Sequence, residues 1–176
     1  MLLDRLFRPR PARAIGQALY QRVVDQSRTP ALYTGLGAPD TVEGRFELYS
    51  LHIVLVLERL RGHGEQAAEV SQALFDTYVK SLDDALREMG VGDLSVGKKM
   101  RKLGEALFGR AKSYEAAFQA LPATELLEAL LVRTIYAQTD TAHAGRLVDY
   151  VLGQRAHLAT QDLDRLLAGE VDWSAP

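Results

Sequence analysis

The chain has 176 residues, 47% apolar and 25% charged, with 21 basic against 23 acidic side chains and no cysteine. This is the composition of one soluble globular domain able to bury a core without disulfides or metal, and it excludes thiol nucleophiles, thiolate zinc and ordinary iron–sulfur ligation. A pI near 6.1 speaks against a protein that coats nucleic acid through global charge, for which a pI above about 9 is usual.

Residues 1–13 form a basic and apolar arm in which Asp4, Arg5 and Arg8 interrupt any secretory apolar run. It reads as a frayed terminus or as a weak membrane-surface anchor. From 14 to 168 the spacing is helical throughout, with no clean alternation at period two. A first helix over 14–26 carries Ile15, Leu19, Val23 and Val24 and ends before Thr29-Pro30. Pro30, Gly35, Gly37 and Pro39 then make a breaker-rich loop, after which Asp40 or Thr41 caps the next helix. From Phe46 to Leu60 that helix is apolar around most of its circumference, although it holds His52. This is the pattern of a bundle's central helix. Its 12-residue apolar stretch, Phe46 to Leu57, falls short of the roughly 17 to 25 residues that span a bilayer.

Ala67, Val70, Leu74, Tyr78, Leu82, Ala85 and Met89 mark a third helix, with Gly90 at the left-handed position and Val91 folding back on the last turn. Ser95 is the expected N-cap of a fourth, striped by Met100, Leu103, Leu107, Ala111, Tyr114 and Phe118. Thr124 caps a fifth, Asp140 or Thr141 a sixth, and a short last helix over 160–168 ends at Gly169, leaving 169–176 as a tail. The expectation is an all-α, single-domain bundle of six to seven helices around an almost fully apolar central helix.

Chemistry-bearing patterns are few. Gly92 to Lys98 fits G-x-x-x-x-G-K, but Lys99 stands where magnesium needs a hydroxyl, and the loop follows a helix instead of a strand. Ser95-Val-Gly-Lys98 fits S-x-x-K without the companion motifs of an acyl-transfer enzyme. His52, His63, His143 and His157 lack metal-ligand spacing, and Asp83-Asp84 diverge on a helix. The unexplained feature is charge. Lys98, Lys99, Arg101 and Lys102 crowd a helix start where the macrodipole already favours anions. Either this is a solvated face offset by Asp93 and Glu105, or it awaits an anionic partner.

Two long blocks carry a resemblance, ALYTGLGAPDTVEGRFELYSLHIVLVLERL at 31–60 and QALFDTYVKSLDDALREMGVGDLSVGKKMRKLGEALFGR at 72–110, followed by Tyr114. The most diagnostic strings within them are Pro39-Asp40-Thr41, Gly44-Arg45-Phe46 and Arg87 through Lys98. With these strings the chain resembles the ubiquinol-cytochrome c chaperone family. The resemblance implies a non-catalytic helical assembly factor for the respiratory cytochrome bc complex, without cofactor, metal or small-molecule substrate. The implied client is newly made cytochrome b or another subunit of that complex, met at the cytoplasmic face of the inner membrane. A small partner protein, the ribosome and anionic lipid are the other partners it suggests.

The candidate contact residues are Tyr33, Asp40, Arg45, Phe46, Tyr49 and Tyr78, together with Gly92, Asp93, Ser95, Lys98, Lys99, Arg101 and Lys102. Phe46, Tyr49, Tyr78, Phe108 and Phe118 offer material for an apolar client groove. The alternative is a nucleic-acid or ribosome-binding regulator acting through Lys98 to Lys102.

Overall fold

The expected helical spacing becomes eight helices among the described residues, 11–139 and 141–176, of a computed structural model. They are α1 Pro11–Ser27, α2 Pro30–Thr34, α3 Val42–Leu60, α4 Glu65–Glu88, α5 Asp93–Gln119, α6 Glu125–Thr134, α7 Ala144–Thr160 and α8 Leu163–Leu167. Residues 1–10 of the basic arm lie outside the described residues. No helix among the described residues is long and apolar enough to cross a membrane.

α3 is the hub. It packs against α1, α4, α5 and α7, while α1 runs along α4 and α6 bridges α5 to α7. From Leu51 to Val56 every residue of α3 is buried. The helix is not the almost fully apolar rod its spacing suggests, however, because Glu47, Ser50 and His52 are buried in it too. Each of these is satisfied. Arg110 of α5 donates to both oxygens of Glu47, from Nε at 2.9 Å and from a terminal nitrogen at 2.6 Å. Ser50 Oγ lies 3.0 Å from the Tyr78 hydroxyl of α4. His52 Nδ1 lies 2.7 Å from the Leu48 carbonyl, which can only accept, so this nitrogen carries the proton. The bare Nε2 accepts from the Tyr150 hydroxyl at 2.7 Å. At the other end of α3, Arg155 of α7 pairs with Glu58, and Arg59 donates to the Leu158 and Gln161 carbonyls at the end of α7.

The tail packs rather than frays. Gln154 Nε2 donates to the Ser174 carbonyl at 2.7 Å while its oxygen accepts from Ser174 N at 3.1 Å, and Gln161 grips Asp172 in the same two-way manner. These amide side chains stand in for a neighbouring strand. They seat Val171 in the core and Trp173 edge-on to His52, with centroids 5.1 Å apart.

Several boundaries differ from the sequence expectation for local reasons. Pro30 ends α1 and also opens α2, a helix the breaker cluster concealed, because proline's missing N–H is not needed in a first turn. Thr41, not Asp40, caps α3, accepting from Gly44 N at 3.0 Å, which frees Asp40 to pair with Arg45 at 2.6 Å. α5 starts at Asp93 with Gly92 as its cap residue, so Ser95 lies inside the first turn and is not the N-cap. Thr124 precedes α6 but its side chain makes no capping bond. α7 follows His143 instead of starting at 140 or 141; Asp140 itself is outside the described residues. The last helix is shorter than 160–168 and is capped by Asp162. The end of α4 matches expectation: Gly90 has φ +80°, and Val91 N donates to Leu86 O at 3.0 Å while Gly90 N donates to Arg87 O.

Burial holds the His52 ring neutral and pushes its pKa down to about 4. The unfolded chain, with an ordinary histidine near 6.5, takes up that proton first. The contribution of His52 to stability is therefore complete above about pH 6.5 and is lost as pH falls toward 4, by about 3 kcal/mol in all and about 2 kcal/mol by pH 5. Denaturant titrations at pH 7 and pH 5 should show this loss, and a His52→Gln variant should show much less of it. Arg110→Ala strands a buried carboxylate and should cost about 2 to 3 kcal/mol, somewhat below the range for a fully enclosed pair because Arg110 is partly exposed. In the same titrations Glu47→Leu/Arg110→Leu should recover most of that loss.

Candidate partner-binding surface

The contact residues separate into two regions, one at the start of α3 and one at the α4–α5 turn. In the first, the breaker loop folds back on the first turn of α3. Gly44 permits this, because a Cβ there would lie 2.1 Å from the Pro39 carbonyl oxygen. The loop is anchored from behind by Tyr136, whose hydroxyl donates to Leu36 O at 2.6 Å, and by Arg146, which donates to Gly35 O. Asp40 and Arg45 form an exposed pair. This pairing holds the Asp40 carboxyl below the usual carboxylate range.

Beside that pair, Phe46 and Tyr49 are half-buried, as is Tyr33. Tyr33 donates to Ser27 O at 2.7 Å, and Arg28 Nε donates to the Tyr49 hydroxyl at 2.8 Å. Burial, followed by the neighbouring Tyr49 hydroxyl, raises the Tyr33 pKa, with Arg45, Asp40 and Arg28 also near enough to act on it. Five of the candidates, Tyr33, Asp40, Arg45, Phe46 and Tyr49, thus form one aromatic corner. Arg28 belongs with them and was not anticipated. Its only sequence signal is its place one turn beyond the last apolar residue of α1.

Tyr78 does not join this surface. It is fully buried, with its hydroxyl on Ser50 and its ring 6.2 Å from that of Tyr20. It supports the corner from beneath, since the same hydroxyl also reaches the Phe46 carbonyl at 3.5 Å. Phe118 is likewise buried, against Tyr114. Of the five groove aromatics, only Phe46, Tyr49 and Phe108 reach solvent.

The second region lies 11 residues farther along α4, about 16 Å from Tyr78. Asp93 is taken by Arg87, which also holds Asp83 and so staples the turn. Gly92 and Ser95 are exposed at the start of α5. Lys98, Lys99, Arg101 and Lys102 are exposed, and among the described residues none of them has an ion-pair partner. Of the two acids that could offset them, Asp93 and Glu105, Asp93 is engaged by Arg87. With α5 beginning at Asp93, the cations fall in the second and third turns, where the dipole acts weakly. Their remaining cost is mutual repulsion. Replacing Lys98 and Lys99 together by Gln should leave the thermal midpoint within a few degrees of wild type or raise it, as for other exposed positions. A large drop would mean that these side chains hold the fold together.

Among the described residues no group of three His, Asp or Glu side chains converges as a metal site. Of the strongly shifted groups, His52, Tyr78 and Tyr150 are closed within the core by their own hydrogen bonds, and Tyr114, raised first by burial and then by the Glu47 carboxylate, is fully buried and opens onto no surface.

The profile of the family described as ubiquinol-cytochrome C chaperone matches residues 34–173. Among curated relatives, the chain is 23% identical over 158 residues to ubiquinol-cytochrome-c reductase complex assembly factor 1 of Xenopus laevis, covering 88% of this chain and 78% of that protein. It is 25% identical to the Homo sapiens protein of that description over the same length, which is 88% of this chain but 52% of the relative, about half. Among solved structures, the Cbp3 homolog from Brucella abortus superposes with a TM-score of 0.86 at 35% identity, covering 99% of this chain and 97% of that one.

Proposed function

This chain belongs to the ubiquinol-cytochrome c chaperone family, and from that membership we propose that it receives newly made cytochrome b at the cytoplasmic face of the inner membrane and hands it on to the growing complex. The family is one of assembly chaperones for ubiquinol-cytochrome c reductase and performs no catalysis.

The observation that carries the finer reading is the aromatic corner. A chaperone for a membrane subunit must offer apolar surface that is open yet does not collapse on itself. Phe46 and Tyr49 are placed for this on the first turns of a helix whose far side is locked into the core. Tyr33 closes one side of the corner, and the Asp40–Arg45 pair gives it a polar rim. Tyr49 rests against the core on one side, and Arg28 holds its hydroxyl at the surface, so the remaining part of the ring is left open to a client.

Deleting the gene in a respiring host should lower assembled cytochrome bc complex while sparing other respiratory complexes. Wild-type chain should restore it. A Phe46→Ser/Tyr49→Ser variant that accumulates normally should restore less than about a fifth, as expected when two apolar anchors at the centre of an interface are removed. Normal complex levels in the deletion strain would overturn the reading.

A further inference from the structure

The outer side of α5 is used by nothing described so far. Leu94, Lys98, Arg101, Glu105, Phe108 and Lys112 recur at steps of three and four and therefore share one line along the helix, opposite the inward residues Val96, Leu103, Leu107 and Tyr114. Leu94 is 101% exposed and Phe108 is 64% exposed. They stand at the two ends of the line, about 21 Å apart. Between them lie Lys98 and Arg101, which have no ion-pair partner among the described residues, flanked by Lys99 and Lys102, with Glu105 the one acidic group on the line. Lys112 sits 4.7 Å over the Phe108 ring, so one end of the line joins a cation to an apolar ring. A chain with net charge −2 has concentrated cations and exposed apolar bulk on one side of one helix.

We infer that this side of α5 lies on an anionic lipid bilayer, with Leu94 and Phe108 entering the headgroup boundary and Lys98, Arg101 and the flanking lysines meeting lipid phosphates. The charge decides the sign of the partner, and the apolar residues decide its kind. Leu94 and Phe108 both project into solvent from the same side of one helix. A bilayer interface receives such protruding side chains without a matching pocket, whereas a folded RNA offers phosphates but no receptor for an exposed leucine. A contact of this sort places the chaperone flat against the membrane along α5. The aromatic corner, on another part of the molecule, stays open to a client. The inference rests on the proposed work at the membrane face, but its test contains no cytochrome b.

The test is sedimentation of the full chain with vesicles of phosphatidylcholine alone and with about 30% phosphatidylglycerol added. Binding should require the anionic lipid and weaken at least about tenfold when salt is raised from about 0.05 to 0.5 M. Lys98→Gln/Arg101→Gln should weaken binding about 25-fold, at about fivefold per cation. Leu94→Ser/Phe108→Ser should weaken it about tenfold or more at unchanged charge. Both variants should keep the wild-type melting midpoint, because all four residues are exposed. Arg22→Gln/Arg133→Gln, an equal loss of charge at exposed positions on α1 and α6, should bind as wild type does. The inference is overturned by equal binding to neutral vesicles, by an equal loss in this control variant, by insensitivity to the α5 variants, or by ribosomal RNA binding that depends on these cations while vesicles are ignored. Such a result would leave the chaperone reading standing, just as normal assembly in a deletion strain would leave vesicle binding intact.

Discussion

Everything in this molecule is arranged around the requirement that polar groups in a helix buried on nearly every side must find partners from other helices. An α3 made only of leucine and valine would pack, but it would not say which neighbour belongs on which side. Glu47 demands the guanidinium of α5, Ser50 the phenol of α4, and Glu58 the arginine of α7. His52 draws in Tyr150 from α7, and through the Trp173 ring it fixes the tail. These contacts set the rotation of each helix about its own axis. They thereby decide which residues are left outside.

What remains outside follows from that commitment. Once the Arg110 side of α5 is turned toward Glu47, the line from Leu94 to Lys112 faces solvent, and among the described residues its cations form no ion pair. Once the far end of α3 is locked between α1, α4 and α7, its first turns project Phe46 and Tyr49 beside the folded-back loop. Two surfaces with different chemistry, one aromatic with a polar rim and one cationic with apolar ends, thus come from a single packing scheme.

The helical character and the long elements were readable because burial on one side leaves a period of 3.6 in the apolar residues, and α4, with its Gly90 terminus, shows that most cleanly. The caps were less readable. Asp40 and Thr41 are both good capping residues, and only the Gly44 amide and the partner of Asp40 distinguish them. Ser95 looked like a cap because nothing in the one-dimensional pattern shows that Gly92 has already turned the chain. Tyr78 is on an apolar stripe and is also a candidate contact aromatic, and the group that receives its hydroxyl inside the core, Ser50, is 28 residues away in sequence. Leu94 was the opposite case. A lone apolar residue in the first turn of a helix attracts little notice, and its full exposure appears only when the inward face of α5 is fixed. The pairings Glu47–Arg110 and Gln154–Ser174 join residues far apart or in unlike elements, and no local pattern marks them.

The central claim is that the chain works by holding another polypeptide at the corner formed by Tyr33, Phe46 and Tyr49. Site-specific photo-crosslinking in a respiring host tests it most directly, with the crosslinker placed at Tyr49 and, for comparison, at the exposed Gln17 of α1. The account predicts a cytochrome b adduct from position 49 during synthesis of that subunit, fading as the complex matures, and none from position 17. Equal adducts at both positions, or no adduct at 49 while the protein is folded and the complex is being assembled, would contradict it.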